Sequence, residues 1–194
     1  KEMKKGPMNM TKFLEHKDIY LRPQQEEDAA FFYTWNNDAL TRGKIGEKRS
    51  KSLLQIQQSL NKQRSDNIWF SVVKKDSDEV IGETGFLRMD PDNGCSDFSI
   101  ILPDAAQQHK GYGKQVVELM FAYAFGYLHL HRLAIGVVDF NTEALQFYKR
   151  VGFQQEGIYE ESYYYDFKYH DFIMMRILKQ EYLRLYQAES KSRT

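Results

Sequence analysis

One cysteine in 194 residues leaves no partner for an intramolecular disulfide, and that scarcity suits a reducing cytoplasm. No apolar run approaches the ~20 residues needed to cross a bilayer. The basic start, Lys1-Glu-Met-Lys-Lys-Gly, has no apolar core behind it and does not read as a secretory signal. Neither sign of charge is in excess. The 27 basic residues balance 27 acidic ones, so nothing draws the whole chain to nucleic acid or to an anionic membrane. Internal repeats and interdomain linkers are missing too, as is a Ser or Cys nucleophile with a paired base. Cys95, in Asp92-Asn-Gly-Cys-Ser96, reads as an inert thiol at a turn. His129 and His131 have no third ligand at suitable spacing, so no metal site is expected.

What is present is a punctuated series of short apolar segments. Strands are expected at 19–22, 67–74, 79–89, up to Leu102, 132–138, 153–165 and 169–178. Helices are expected at 25–37, 52–63, from near Lys114 to about Tyr127, at 143–150 and at 180–187, with a polar loop over 41–51. Such mixed elements with one parallel-type crossover point to an α/β fold with a mixed sheet. One domain is expected over 18–187, between a tail at 1–17 and another at 188–194.

The most informative stretch is Gln108-His-Lys-Gly-Tyr-Gly-Lys-Gln115, between the apolar strand Phe98-Ser-Ile-Ile-Leu102 and a long helical pattern. Glycines one residue apart at a strand-loop-helix junction let the backbone approach a ligand. The helix start adds unpaired N–H groups and the positive end of its dipole. Together they suit a phosphate or pyrophosphate. The loop is not a Walker loop, lacking the Gly-Lys-Ser/Thr ending, and is one glycine short of the dinucleotide fingerprint. Downstream, after Arg132-Leu-Ala-Ile-Gly-Val-Val138, comes Asp139-Phe-Asn-Thr-Glu-Ala-Leu-Gln-Phe-Tyr-Lys-Arg-Val-Gly-Phe153.

This order resembles the GNAT acetyltransferase superfamily. Gln108, Gly111 and Gly113 fit its Gln/Arg-x-x-Gly-x-Gly/Ala loop, and Asn141, Ala144, Tyr148 and Gly152-Phe153 fit its second motif. Ile19-Tyr-Leu-Arg-Pro23 with Glu27-Asp28 is similar to the opening strand and helix, and Ile81-Gly-Glu-Thr-Gly85 to the third strand. Tyr169-His-Asp-Phe-Ile-Met-Met-Arg-Ile-Leu178 is similar to the closing strand of the branch with ribosomal-protein N-terminal acetyltransferases and spermidine acetyltransferases. The likeness covers about residues 18–185, with a longer approach to the glycine loop at 104–107. It implies a mostly antiparallel central sheet of about seven strands, helices on both faces, and acetyl-CoA as donor.

The resemblance assigns the cofactor to Ile100, Ile101 and Leu102 of the strand end and to Gln108, His109, Lys110, Gly111, Tyr112, Gly113 and Lys114 of the loop. Asn141 and Tyr148 complete that set. By pattern alone Asn141 is a helix N-cap, a role compatible with touching the cofactor, and Tyr148 belongs to a core-facing stripe with Ala144, Leu145 and Val151. The resemblance adds a general-acid role for Tyr148. Glu83 and Asp97 are the acidic residues on apolar strands that could serve as base. Strand alternation groups Glu83 with Gly85 and Leu87 without saying which face is buried.

The acceptor is expected to be an amine that attacks directly. Tyr159, Tyr163, Tyr164, Tyr165 and Tyr169 with Glu160, Glu161, Asp166 and Asp171 form either a packed hairpin or an acceptor wall that attracts an ammonium group. Arg42, Lys44, Lys48, Arg49 and Lys51 make a basic lip opposite, which would repel a polyamine. The reading is an acetyl-CoA-dependent N-acetyltransferase for a peptide N-terminus or small monoamine. Polyamines and nucleotide-linked amino sugars are the alternative acceptors, and a CoA-binding module with little turnover is the alternative class. No nucleic-acid or membrane partner is expected, and a homodimer is compatible with the sequence.

Overall fold

The computed structural model describes residues 11–62, 64–104 and 110–191, with side chains of the last helix described to Tyr186. One eight-stranded sheet organises them, in the order β1-β2-β3-β4-β5-β6-β8-β7. The strands are β1 (Leu14–Glu15), β2 (Ile19–Pro23), β3 (Ile68–Lys74), β4 (Val80–Asp90), β5 (Cys95–Ile101), β6 (Arg132–Val138), β7 (Gln154–Tyr165) and β8 (Lys168–Leu178). All neighbours are antiparallel except β5 and β6. The eighth strand is β1, within the segment expected to be a tail. It pairs with β2, and the Phe13 ring before it stacks on Phe70.

Helices cover both faces. A 3-10 turn (Glu26–Asp28) precedes α1 (Ala29–Asn37), and α2 (Ala39–Ile45) and α3 (Leu53–Asn61) follow. The short α2 replaces the first part of the expected polar loop. Asp38 caps it, accepting from Thr41 N at 2.7 Å, and Gly46 closes it at φ 73°, the left-handed region that glycine adopts without strain. Ser52 and Gln55 form a capping box that starts α3. Ala29, Phe32, Trp35 and Ile56 make a small core on this face, against Ile101 of β5.

The larger core lies on the opposite face. There α4 (Tyr112–Ala122), extended by a π-helical turn to Tyr127, packs Val116, Val117, Met120 and Phe121 onto the sheet. Tyr148 and Val151 of α5 (Thr142–Arg150) and the turn after it join this core, as do Tyr182 and Tyr186 of α6 (Lys179–Lys191). Gly152-Phe153 follows α5. Gly152 sits at φ 107°, and Phe153 is buried, stacked at 6.0 Å on Phe98.

The decisive irregularity is between β5 and β6. Their parallel pairing runs only over Cys95–Asp97 with Arg132–Ala134. Beyond Asp97, β5 stays paired with β4 through Phe98–Ile101, while β6 stays paired with β8. The sheet therefore splits, and among the described residues the β5 edge facing β6 has no strand partner there.

Candidate active site

A cleft of about 1060 Å³ opens at this split. Ser99, Ile100, Ile101 and Leu102 form one wall, and Ile135–Val138 the other. Gly111, Tyr112, Gly113 and Lys114 lie at one end, while Asn141, Phe147 and Tyr148 of the α5 segment line its side. All the cofactor residues assigned from sequence that belong to the strand end, to 111–114 and to the α5 segment thus line one cavity of ligand size, and Asp97 joins them. Lys110 precedes the lining residues, Glu83 lies one strand away, and Gln108 and His109 fall outside the described residues.

The glycine loop requires its two glycines for different reasons. Gly111 is the N-cap of α4 at φ 81°, so its demand is conformational, and a Cβ there would meet nothing within 4 Å. Gly113 is already helical. A Cβ on it would come within 3.2 Å of the Phe147 ring and 3.8 Å of Leu102, both in the cleft wall. The helix starts at Tyr112, ahead of the expected Lys114, so its free N–H groups belong to the loop itself.

Tyr148 is 7% exposed, with its ring edge-on to Phe153 at 5.7 Å. Among the described residues its hydroxyl has no hydrogen-bond partner, and burial pushes its pKa up, so it stays protonated at working pH. Tyr148 belongs to the core and also lines the cleft, because the cleft is lined by the core. Asn141 is the helix N-cap. Its Oδ1 accepts from Ala144 N at 3.2 Å and its Nδ2 donates to Lys44 O at 2.9 Å, tying α5 to α2 across the cleft mouth.

The two carboxylates differ. Asp97 lines the cleft and is ion-paired with Arg88. Glu83 is directly opposite Ile101 in the β4–β5 ladder, on the α1–α3 side of the sheet. It is not a solvated strand residue as its charge suggests. Its surface is half-buried and its surroundings close enough that desolvation pushes the carboxyl up to about 7, against opposing effects of Gln24 and Lys51. Gln24 Nε2 donates to Glu83 Oε2 at 2.8 Å.

Sequence reasoning missed what holds this corner. Arg22 donates to Asp28 through both Nη atoms at 2.8 and 2.6 Å, and Ser71 Oγ donates to Asp28 at 2.6 Å. These buried groups fix the Pro23–Gln25 turn that presents Gln24. The available signal was an Arg inside an apolar strand six residues before an Asp.

The hairpin tyrosines divide. Tyr163 donates to Gly46 O, and Lys48 Nζ sits 4.2 Å from its ring centroid. Tyr164 and Tyr169 pack edge-to-face across the strands at 5.1 Å and, like Tyr159, are exposed. Only Tyr163 of this cluster lines a described cavity.

A sheet split at a parallel pair, with a glycine-led helix at one end and a buried tyrosine in its wall, is the architecture of an acyl-CoA-dependent transferase. The family model for the acetyltransferase (GNAT) domain matches residues 18–154, and the chain belongs to that family. It is an N-acetyltransferase that uses acetyl-CoA as acetyl donor. Among curated relatives, an uncharacterized N-acetyltransferase p20 of Bacillus licheniformis is 30% identical over 115 residues, which is 58% of this chain and 63% of that protein. The spermidine N(1)-acetyltransferase of Vibrio cholerae is 25% identical over 85% of this chain and 95% of its own length. Among solved structures, spermidine N-acetyltransferase from Vibrio cholerae in complex with CoA and spermine superposes with a TM-score of 0.78 at 24% identity, covering 86% of this chain and 98% of that one. A GCN5-related N-acetyltransferase from Brucella melitensis gives 0.76 at 20% identity, covering 92% and 83%. No described helix is long and apolar enough to cross a membrane.

Proposed function

We propose that this cleft transfers acetyl to a primary amine with Glu83 as base and Tyr148 as acid, and that the preferred acceptor carries a single ammonium group. Acetyl-CoA, when bound, supplies the acetyl thioester. Residues 111–114 would hold its pyrophosphate, because glycine-led N–H groups at a helix start suit that charge. The free edge at Ile100–Ile101 of β5, with Leu102 just after it, offers N–H donors to an oxygen that gains negative charge during transfer. Glu83, on the α1–α3 side, takes a proton from the amine through solvent. With a pKa near 7 it is partly ionised at neutral pH, which suits a base. A proton held at Tyr148 Oη is available to the departing thiolate. Asp97 is the weaker base candidate, being already paired with Arg88.

The observation that carries the reading is Tyr148, a buried residue in the wall of the split whose hydroxyl has no hydrogen-bond partner among the described residues. The wild type and Tyr148→Phe, assayed for acetyl transfer against a panel of monoamines, peptides, amino sugars and polyamines, test it. Wild-type turnover in the Tyr148→Phe variant removes the acid role. For the acceptor, the basic α2–α3 segment disfavours a second positive charge, in contrast to the spermidine named for the relatives. A kcat/KM for spermidine or spermine above every monoamine and peptide tested overturns that preference. The single cysteine supports a cytoplasmic setting.

A further inference from the structure

Beside the main cleft lies a second hollow of about 340 Å³, sharing Ile45 and Ile101 with it. Gly46, Glu47, Lys48 and Arg49 form one side and Tyr163 the other. It opens on the α1–α3 side of the sheet, the side on which Glu83 lies opposite Ile101. Tyr163 is bonded to Gly46 O, and Gly46 has no room for a Cβ against that ring, so the segment is clamped to the hairpin.

The charges in this hollow are unequal in what they can offer. Glu47 is spent on its own segment: Oε1 accepts from Lys48 N at 3.0 Å and Arg49 N at 3.1 Å, and Oε2 pairs with Lys51 at 3.4 Å. Lys48 rests its ammonium over Tyr163, an arrangement that leaves donors to spare. Arg49 is exposed and, among the described residues, makes no ion pair. The lining carboxylate is therefore already engaged, while two cations remain for a ligand. A second ammonium of a polyamine would meet Lys48 and Arg49, with the one lining carboxylate already engaged by its own segment.

We infer that this hollow is an anion subsite of the acceptor site, taking the carboxylate or phosphate of a small amine that carries one. The inference rests on the acetyltransferase reading above and names its substrate class. An amine whose anionic oxygens reach Arg49 and Lys48 is held while its nitrogen lies toward Ile101 and Glu83. Arg49 can meet such a group with paired N–H donors, which a Lys cannot do.

Matched acceptors that differ only in the anion test this: tyrosine against tyramine for the carboxylate, and phosphoethanolamine against ethanolamine for the phosphate. The wild type is expected to favour the anionic member of at least one pair by about fivefold in kcat/KM, chiefly through KM, as suits solvent-exposed charge contacts. Arg49→Ala should bring that ratio near unity, and Arg49→Glu should reverse it. The anion-free partner in each pair reports on folding and chemistry within the same variant. Which pair shows the preference separates carboxylate from phosphate. Equal rates within both pairs for the wild type, or a ratio unmoved by Arg49→Glu, overturn the subsite and leave the acid–base roles standing. Absence of turnover with any amine overturns both readings together.

Discussion

At Tyr148 a burial that looks like simple packing has a chemical consequence. A hydroxyl without a partner contributes nothing to stability, so Tyr148→Phe should leave the melting temperature unchanged or slightly raised. Its kcat should fall about 10²- to 10⁴-fold with little change in the KM for acetyl-CoA, because thiolate protonation matters only in the transition state. Glu83 gives a pH signature. A base with a pKa near 7 loses activity as pH falls through that value, so kcat/KM should rise through an inflection near 7. Gln24→Ala removes a hydrogen bond to the ionised form and should move the inflection upward, a shift that a purely structural glutamine would not produce. The same group sets a stability trend. Its folded pKa lies above the ordinary value of 4.5, so its favourable contribution is present below 4.5 and lost as pH rises through about 7. Glu83→Gln should thus stabilise the protein near pH 8, by up to about 3 kcal/mol, and have little effect near pH 4 in denaturant titrations. Gly113→Val places methyl groups against Phe147 and should weaken acetyl-CoA binding at least tenfold, about 1.4 kcal/mol, by calorimetry on a folded variant. Unchanged affinity would remove the loop's assignment.

At the scale of elements, two ties set the cleft's shape. Asn141 caps α5 and holds α2 by its backbone, so one side chain couples the tyrosine-bearing helix to the segment over the acceptor side. The Arg22–Asp28 pair is more consequential. Both side chains are almost wholly buried, at 6% and 3% exposure, and Ser71 and Gln25 N also donate to the carboxylate. Asp28→Ala would leave a buried guanidinium without its counter-ion, and chemical denaturation should register a loss of roughly 3–5 kcal/mol. Replacing both partners with apolar residues of similar volume should recover most of that loss, since the cost comes from the uncompensated charge.

For the whole molecule, the split divides the sheet into β1–β5 and β6–β8, joined along their edges by a three-residue parallel pairing. Helix α4 and the larger core hold the two parts together. A ligand seated in the split bridges them. At a concentration of about 100 times Kd, acetyl-CoA should add about 2.7 kcal/mol of stability, seen as a raised melting temperature. Hydrogen exchange should slow at the amides of 100–102, at and just past the end of β5 where the sheet opens on the cleft, and change little along β3. Uniform slowing across all strands would point to global stabilisation without a bound position.

The sequence alone determined the family through two motifs, and the strand and helix sites lie within a few residues of their structural bounds, because glycine loops, caps and alternation are local physics. It also marked Gly111, Gly113 and Asn141, residues whose type suits a turn, a close approach and a cap, and Tyr148, which belongs to the core stripe of α5. Three things it left open. Alternation could not say that the Glu83 face is the enclosed one, since that depends on α1 and α3 arriving from elsewhere in the chain. The polar stretch at 41–51 concealed α2, a short helix whose last turn and left-handed close are held by contacts to Asn141 and Tyr163, far along the chain. And the charge balance of the second hollow was illegible, because only the fold reveals that the Glu47 carboxylate is taken up by the next two backbone N–H groups and by Lys51 while the exposed Arg49 lines the hollow.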